Sequence, residues 1–207
     1  MNEYGQQSSG KGWKIGCIAF VGVVLLLAIG VGATFVNLYN KSVGLEEGVK
    51  EKWSEVENQL KRRYDLIPNL VETVKGYAAH EDKVFTDIAN ARKSYFQAKG
   101  VGEKAEASAG IERALSRLLM LKETYPDLKA SQNFLKLQDS LEGTENRIAV
   151  SRTRYNEAVK ELNTFVRSFF GRFFAAFTGV QEAEYFELPE DMKEKLAEPP
   201  AVDFKGE

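Results

Sequence analysis

The sequence predicts an all-α protein: an N-terminal transmembrane helix that continues into an elongated antiparallel helical bundle, built from two long helices plus a shorter helix pair. Three observations carry this. Ile15 to Val36 is a run of 22 residues without a charge. Beyond it, apolar residues recur at intervals of three and four instead of alternating. Only five prolines occur, and three of them, Pro189, Pro199 and Pro200, lie in the last 20 residues.

The apolar run comes first. A helix rises about 1.5 Å per residue, so it covers roughly 33 Å, enough to cross a hydrocarbon core of about 30 Å. Trp13 just before it and Tyr39 just after it suit the headgroup layer, where amphipathic rings collect. The run is longer than the roughly 7–15 apolar residues of a signal peptide, and no small-residue cleavage site follows Val36, so an uncleaved anchor is expected. Cys17, the single cysteine, opens the run, whereas a lipidated cysteine would follow it. It reads as a small apolar anchor residue, and no disulfide framework exists. Lys11, Lys14 and the amino terminus favour a cytoplasmic N-terminus, although Lys41, Lys50 and Lys52 weaken the contrast. The expected organisation is a disordered tail over 1–14, the span over 15–37, the bundle over 38–187 and a flexible tail over 188–207.

The first soluble helix carries a stripe of Val49, Trp53, Val56, Leu60, Ile67, Val71, Val74 and Ala78. No breaker follows Tyr39, so the anchor is expected to run directly into it. Pro68 lies inside the stripe and predicts a kink. A second stripe contains Val84, Ile88, Ala91, Tyr95 and Ala98, and Gly100–Gly102 ends it. A third contains Ile111, Leu115, Leu118 and Leu119. Pro126 suits the first turn of the next helix. The last long segment is the most regular. Leu141, Ile148, Tyr155, Leu162 and Phe169 are spaced by seven, with Phe134, Leu137, Val159 and Val166 between them, a heptad seam in which Glu145 and Arg152 hold charge.

Lengths give a shape. The first and last long helices each span about 60 Å, and the middle pair about half that. Short connections make neighbours antiparallel, so the short pair covers only the end far from the membrane. Phe165, Val166, Phe169 and Phe170, near the membrane, then lack cover within the chain. Exposed apolar surface of this kind marks an interface, and side-by-side self-association is expected there. Packing on the tail or on the first helix is the other way to cover them. The last cluster, Phe173, Phe174 and Phe177 around Gly171 and Arg172, arrives near lipid. It fits either an interfacial insertion with Arg172 on headgroups or an ordinary core cap.

The segments RRYDLIPNLVETVKGYAAHE (Arg62 to Glu81), YPDLKASQNFLKLQDSLEGTENRIAVSRTRYNEAVKELN (Tyr125 to Asn163) and EYFE (Glu184 to Glu187) together resemble the LemA family. The resemblance covers about Tyr39 to Glu187. It implies an N-terminal membrane helix, a bundle of long helices, no established enzymatic activity, and a link to bacterial surface or membrane organisation. Two departures stand out. Where the family has proline near the end of the last long helix, this chain has Phe170, which predicts a longer helix. The family's usual Gly-Phe reads Gly179-Val180.

The polar motif residues have a structural reading. Antiparallel first and last helices bring Arg62, Arg63 and Asp65 level with Glu145 and Arg152. The expected pairs are Arg62 or Arg63 with Glu145, and Asp65 with Arg152 or Arg147. Such a network fixes helix register; a polar ligand site is the other reading. For metal, His80 beside Glu81 and Asp82 is too few ligands. No nucleophile elbow or phosphate loop occurs, and Gly100-Val101-Gly102 is a turn. With 28 basic and 30 acidic residues evenly mixed, the chain lacks the basic stripe that nucleic acid requires. No cofactor is expected.

The predicted function is therefore a non-catalytic scaffold in the bacterial inner membrane. Its expected partners are lipid, further copies of itself, and other membrane or exported proteins. The alternative is an accessory for secretion or surface-protein maturation that binds exported polypeptides.

Overall fold

The computed structural model describes residues 9–187, with side chains from Gly16 onward except Ala19. Among them are six helices and no strand: α1 (Ser9–Lys75), α2 (Asp82–Gln97), α3 (Val101–Thr124), α4 (Pro126–Lys129), α5 (Gln132–Arg167) and α6 (Phe169–Thr178). The expected tail over 188–207 and the side chain of Trp13 lie outside the described residues. Helix α1 begins at Ser9, before the apolar run and inside the stretch expected as a tail.

Helix α1 is 67 residues of unbroken helix, about 100 Å at 1.5 Å per residue. It passes straight from the apolar run into the bundle, and Pro68 sits within it without ending it. Its apolar part has 18-residue mean hydropathy of 2.6, and no residue of that stretch is buried. It is long and apolar enough to cross a membrane, the property that its composition predicts.

Two interleaved heptad lines on α1 turn towards α5. Val49, Val56 and Leu70 form one, Leu60, Ile67 and Val74 the other, and all are buried. Tyr64 is also buried, although the apolar stripe passes it by. Helix α5 answers with Phe134, Leu141, Ile148, Tyr155, Val159 and Leu162. Burying a large apolar side chain contributes about 1.5–3 kcal/mol, so this seam is the main source of cohesion.

The short pair α2–α3 covers the distal part, as the lengths require. Tyr95 of α2 packs on Tyr64 with the rings tilted by 57° and their centroids 4.1 Å apart, and Lys104 near the start of α3 pairs with Glu57. At the tip, Pro126 opens α4 and Leu128 is fully buried. The Tyr125 hydroxyl donates to Glu81 Oε1 at 3.0 Å. His80 stands exposed beside it.

The membrane-near half departs from expectation in two ways. The chain breaks after Arg167 despite Phe170 in place of proline. Ser168 adopts an extended conformation (φ −69°, ψ 157°) and accepts a hydrogen bond from the Gly171 amide through its hydroxyl. The Ser168 side chain thus caps α6 and sets the corner. Gly171 is required, because a Cβ there would collide with the Phe165 carbonyl. The heptad seam therefore stops at Leu162 and Phe165, and Phe169 is 87% exposed.

Secondly, the long pair is not left as two helices. Helix α6 ends on Gly179 in the left-handed conformation (φ 76°), which glycine adopts without steric cost. The chain then runs back along the α1–α5 groove as an extended strap, Val180 to Glu187. Val180 and Phe186 are buried, and Ala183 is half-buried. The strap forms the missing third layer below α3.

Candidate functional site

Two places in this fold bring polar or unpartnered groups together: a charged layer inside the distal bundle, and the membrane end with its strap.

The charged layer follows from register. Arg63 sits seven residues after Val56 and seven before Leu70, so the α1 seam carries its guanidinium inward, and it is 7% exposed. Its Nη1 donates to Glu145 of α5 and lies 3.5 Å from Glu112 Oε1 of α3. Burial pushes the Glu112 carboxyl up from its ordinary value, and Glu145 beside it adds to the effect; Arg63 and Arg152 pull it back. Next along α1, the Tyr64 hydroxyl meets the Ser108 hydroxyl at 3.1 Å, and burial raises its pKa. The Tyr95 hydroxyl is pushed up to about 12 by burial.

The predicted network is thus half assembled. Arg63 and Glu145 meet, joined by Glu112, which the sequence reading did not include. Arg62 and Asp65 are exposed. They are one residue before and two after Arg63, which at about 100° per residue turns both off the seam. Arg152 takes a different partner: its guanidinium carbon lies 4.7 Å from the centre of the Phe186 ring, a cation–π contact.

At the membrane end, α6 lies against α1. Phe35 packs edge-on to Phe174 (5.0 Å) and Phe177 (5.9 Å), and Tyr39 reaches Phe177 at 6.5 Å. The Ser42 hydroxyl is 2.9 Å from that of Thr178. Phe174 and Ala175 face inward, while Phe169, Phe170, Phe173 and Phe177 are exposed. The cluster is therefore part core cap and part bare apolar surface. Leu26, Gly30, Val31, Phe35, Phe170 and Phe173 line an open groove of about 780 Å³ between the two helices. Phe165, expected to lack cover, is instead buried, with the Lys41 ammonium 5.7 Å from its ring centre. Val166 is half-buried against the core. Of the four residues expected at an interface, only Phe169 and Phe170 present free surface.

The strap is held by side-chain amides of α5. Asn163 accepts from the Ala183 amide at 2.8 Å and donates to the Ala183 carbonyl at 2.9 Å. Asn156 does the same for Phe186, at 2.9 and 3.1 Å. The Tyr155 hydroxyl donates to the Glu184 carbonyl at 2.7 Å, and burial pushes its pKa up to about 12. Phe186 lies between Arg152 and the Trp53 ring, 6.2 Å away. The signal for this clamp was in the sequence as two asparagines spaced by seven beside a heptad seam, but nothing local identified what they would bind.

The bundle beyond the apolar run, with the Glu-Tyr-Phe-Glu strap that closes it, falls within a family pattern. The LemA family pattern matches residues 52–204. The chain belongs to the LemA family. Among curated proteins it is similar to magnetosome proteins MamQ 1 and MamQ 2 of Paramagnetospirillum magneticum, each 28% identical over 82% of this chain and 72% of theirs. It is equally similar to magnetosome protein MamQ of Magnetospirillum gryphiswaldense, 28% identical over 79% of this chain and 72% of that one. The family match includes the strap, so the third layer lies inside the span of the LemA pattern.

Proposed function

We propose that this LemA-family protein is a non-catalytic, single-pass scaffold that self-associates beside the membrane, its N-terminus in the cytoplasm and its bundle outside. One observation carries the reading. Beyond the corner at Ser168, the start of α6 presents Phe169 and Phe170, 87% and 66% exposed, next to the exposed apolar length of α1. Apolar surface of this extent needs lipid or another chain to cover it. In this reading lipid covers part of α1 and α6, and a neighbouring copy covers the rest. The charged layer sets helix register, since Arg63 is engaged by two carboxylates of its own chain. The relatives are named for a subcellular body rather than for a reaction, in keeping with a structural role.

The alternative, an accessory that grips exported polypeptides, requires an open groove. The α1–α5 groove is filled by the chain's own strap.

Light scattering on detergent-solubilised protein tests the scaffold reading. The particle is expected to contain more than one copy, and Phe169→Asp with Phe170→Asp is expected to reduce it to one. Val166 is a poorer target, because a charge there also enters the chain's own core. A single-copy particle before substitution refutes the reading. Protease shaving of intact cells, with detection of the C-terminal segment, tests the orientation.

A further inference from the structure

Helix α6 lies across the end of the bundle, and the register of the long pair places it there. Trp53 faces Tyr155 with ring centroids 5.2 Å apart, and Arg63 faces Glu145. Steps along α1 thus match equal steps back along α5. The same register sets Ser168, where α6 begins, level with Asn40, and Ser168 shares one groove with Lys41. At the far end of α6 the Thr178 hydroxyl meets that of Ser42 at 2.9 Å. Both ends therefore stand at one height, just past Val36, where the apolar run stops. Both are closed by hydrogen bonds within the chain. The Ser168 hydroxyl accepts from the Gly171 amide at 3.1 Å, and the turn at Gly179 returns the Val180 amide to the Ala175 carbonyl at 3.0 Å. An apolar setting demands such closure.

The two faces of α6 differ. Gly171 and Ala175 are buried on the bundle and Thr178 is half-buried beside them. At about 100° per residue, Phe173 and Phe177 fall on the opposite side, and each is 65% exposed. The groove beneath them has α1 as its other wall, with Leu26, Gly30, Val31 and Phe35, all inside the apolar run. The Thr34 hydroxyl in that wall donates to the Gly30 carbonyl at 2.9 Å, so its donor is satisfied within α1. The groove is apolar on both walls and continuous with a run long and apolar enough to cross a membrane. Its chemistry is that of an acyl chain. Arg172 leaves the flank of α6 and is exposed, from where a guanidinium reaches headgroup phosphate.

We propose that α6 is a one-leaflet wedge: it lies in the headgroup plane on the bundle's side, with Phe173 and Phe177 among the acyl chains, and so favours membrane whose bundle-side leaflet is convex. A helix about 15 Å long and about 10 Å wide claims roughly 150 Å² of that leaflet. At the other end of the apolar run, no second element among the described residues lies beside α1. The added area is therefore on one side only. Interfacial helices seat their apolar face about 5–10 Å into the headgroup boundary and bind according to curvature. This rests on the single-pass reading above and assigns lipid its share of the bare surface; Phe169 and Phe170 stay with the neighbouring copy.

The test uses the full chain in vesicles of phosphatidylethanolamine and phosphatidylglycerol, with Cys17→Ser so that an added cysteine stands alone. A nitroxide on Phe173→Cys is expected to be reached by dissolved oxygen, which concentrates in hydrocarbon, and shielded from a water-soluble nickel chelate. Access to the chelate places α6 in water, and shielding from both reagents places protein over it; either overturns the wedge. Curvature is read in tubes pulled from giant vesicles. A membrane-impermeant dye on His80→Cys, at the exposed tip, marks only outward-facing bundles. The chain is expected to be enriched roughly twofold on the tube, and Phe173→Ser with Phe177→Ser to remove the enrichment, while circular dichroism checks that the helices remain. Equal density on tube and vesicle, or enrichment that survives the serines, overturns the wedge. Light scattering on the same protein separates the two readings. A single-copy particle with an oxygen-exposed label sinks self-association and leaves the wedge, and a multi-copy particle with a doubly shielded label does the reverse. A chain released by alkaline carbonate overturns anchor and wedge together.

Discussion

Arg63→Leu puts the charged layer to the test. Arg63 has a side chain 9% exposed, and it separates Glu112 (20% exposed) from Glu145 (40% exposed). Leucine fits the seam but leaves two carboxylates facing each other without a counter-charge. Removing one partner of a buried ionic group costs about 3–5 kcal/mol. Glu145 reaches water, which screens part of that loss, so the low end, about 3 kcal/mol, is expected here. For a chain of this size each kcal/mol moves the melting temperature by about 2–4 °C, giving a fall of about 6–12 °C.

The pH dependence has a definite sign. Burial raises the folded Glu112 pKa above its ordinary 4.5. Between those two values the folded state holds a proton that the unfolded chain has released, so this group's contribution falls as pH rises through that window. Arg63 is one of the groups pulling the pKa down, so its replacement by leucine widens the window upward. The deficit of Arg63→Leu is therefore expected to be smaller near pH 5 than near pH 7.5, and Glu112→Gln added to it is expected to recover part of the loss at neutral pH. The assay is thermal unfolding followed by circular dichroism in detergent. A deficit independent of pH, or larger in acid, refutes the electrostatic account and leaves simple repacking.

Three further outcomes follow from the corner and the strap. Gly171→Ala forces a methyl group into the Phe165 carbonyl; overpacking costs about 1–3 kcal/mol, and limited proteolysis is expected to open the chain near Ser168. Asn163→Ala removes both bonds to Ala183. Leaving buried backbone groups unpaired costs about 1–3 kcal/mol, and hydrogen exchange is expected to speed up at the Ala183 amide while Ile148 is unchanged. Phe186→Ala empties the pocket against Trp53 and Arg152, a loss of about 3–5 kcal/mol, with a shift in tryptophan emission as water reaches the Trp53 ring.

The long helices were legible because their packing repeats. Val56, Leu60, Ile67, Ile148, Tyr155 and Leu162 recur at heptad spacing, and each is buried. The same regularity put Arg63 on the seam opposite Glu145. It misled at Phe169, where periodicity continues but the backbone turns: Ser168 and Gly171 build a corner that no repeat announces. It also misled for Asp65, which falls beside Arg63 in sequence but on another face of α1. Glu112 was missed because it arrives from α3, whose rotation against α1 is set by contacts distant in sequence. The strap was hidden for a related reason. Its hydrogen bonds go to side chains 20 to 30 residues earlier, so no local pattern in Glu184 to Glu187 reveals what it lies upon.

In the single-pass arrangement proposed above, the uninterrupted course of α1 acts as a lever. About 40 residues of α1 beyond the apolar run continue as one helix of roughly 60 Å. Helices tilt by varying degrees to match the thickness of the lipid around them. A change of about 10° at the base would carry the tip sideways by roughly 10 Å at this length. In that arrangement, local bilayer thickness is converted into lateral displacement at the far end, where Tyr77 and His80 stand open to solvent.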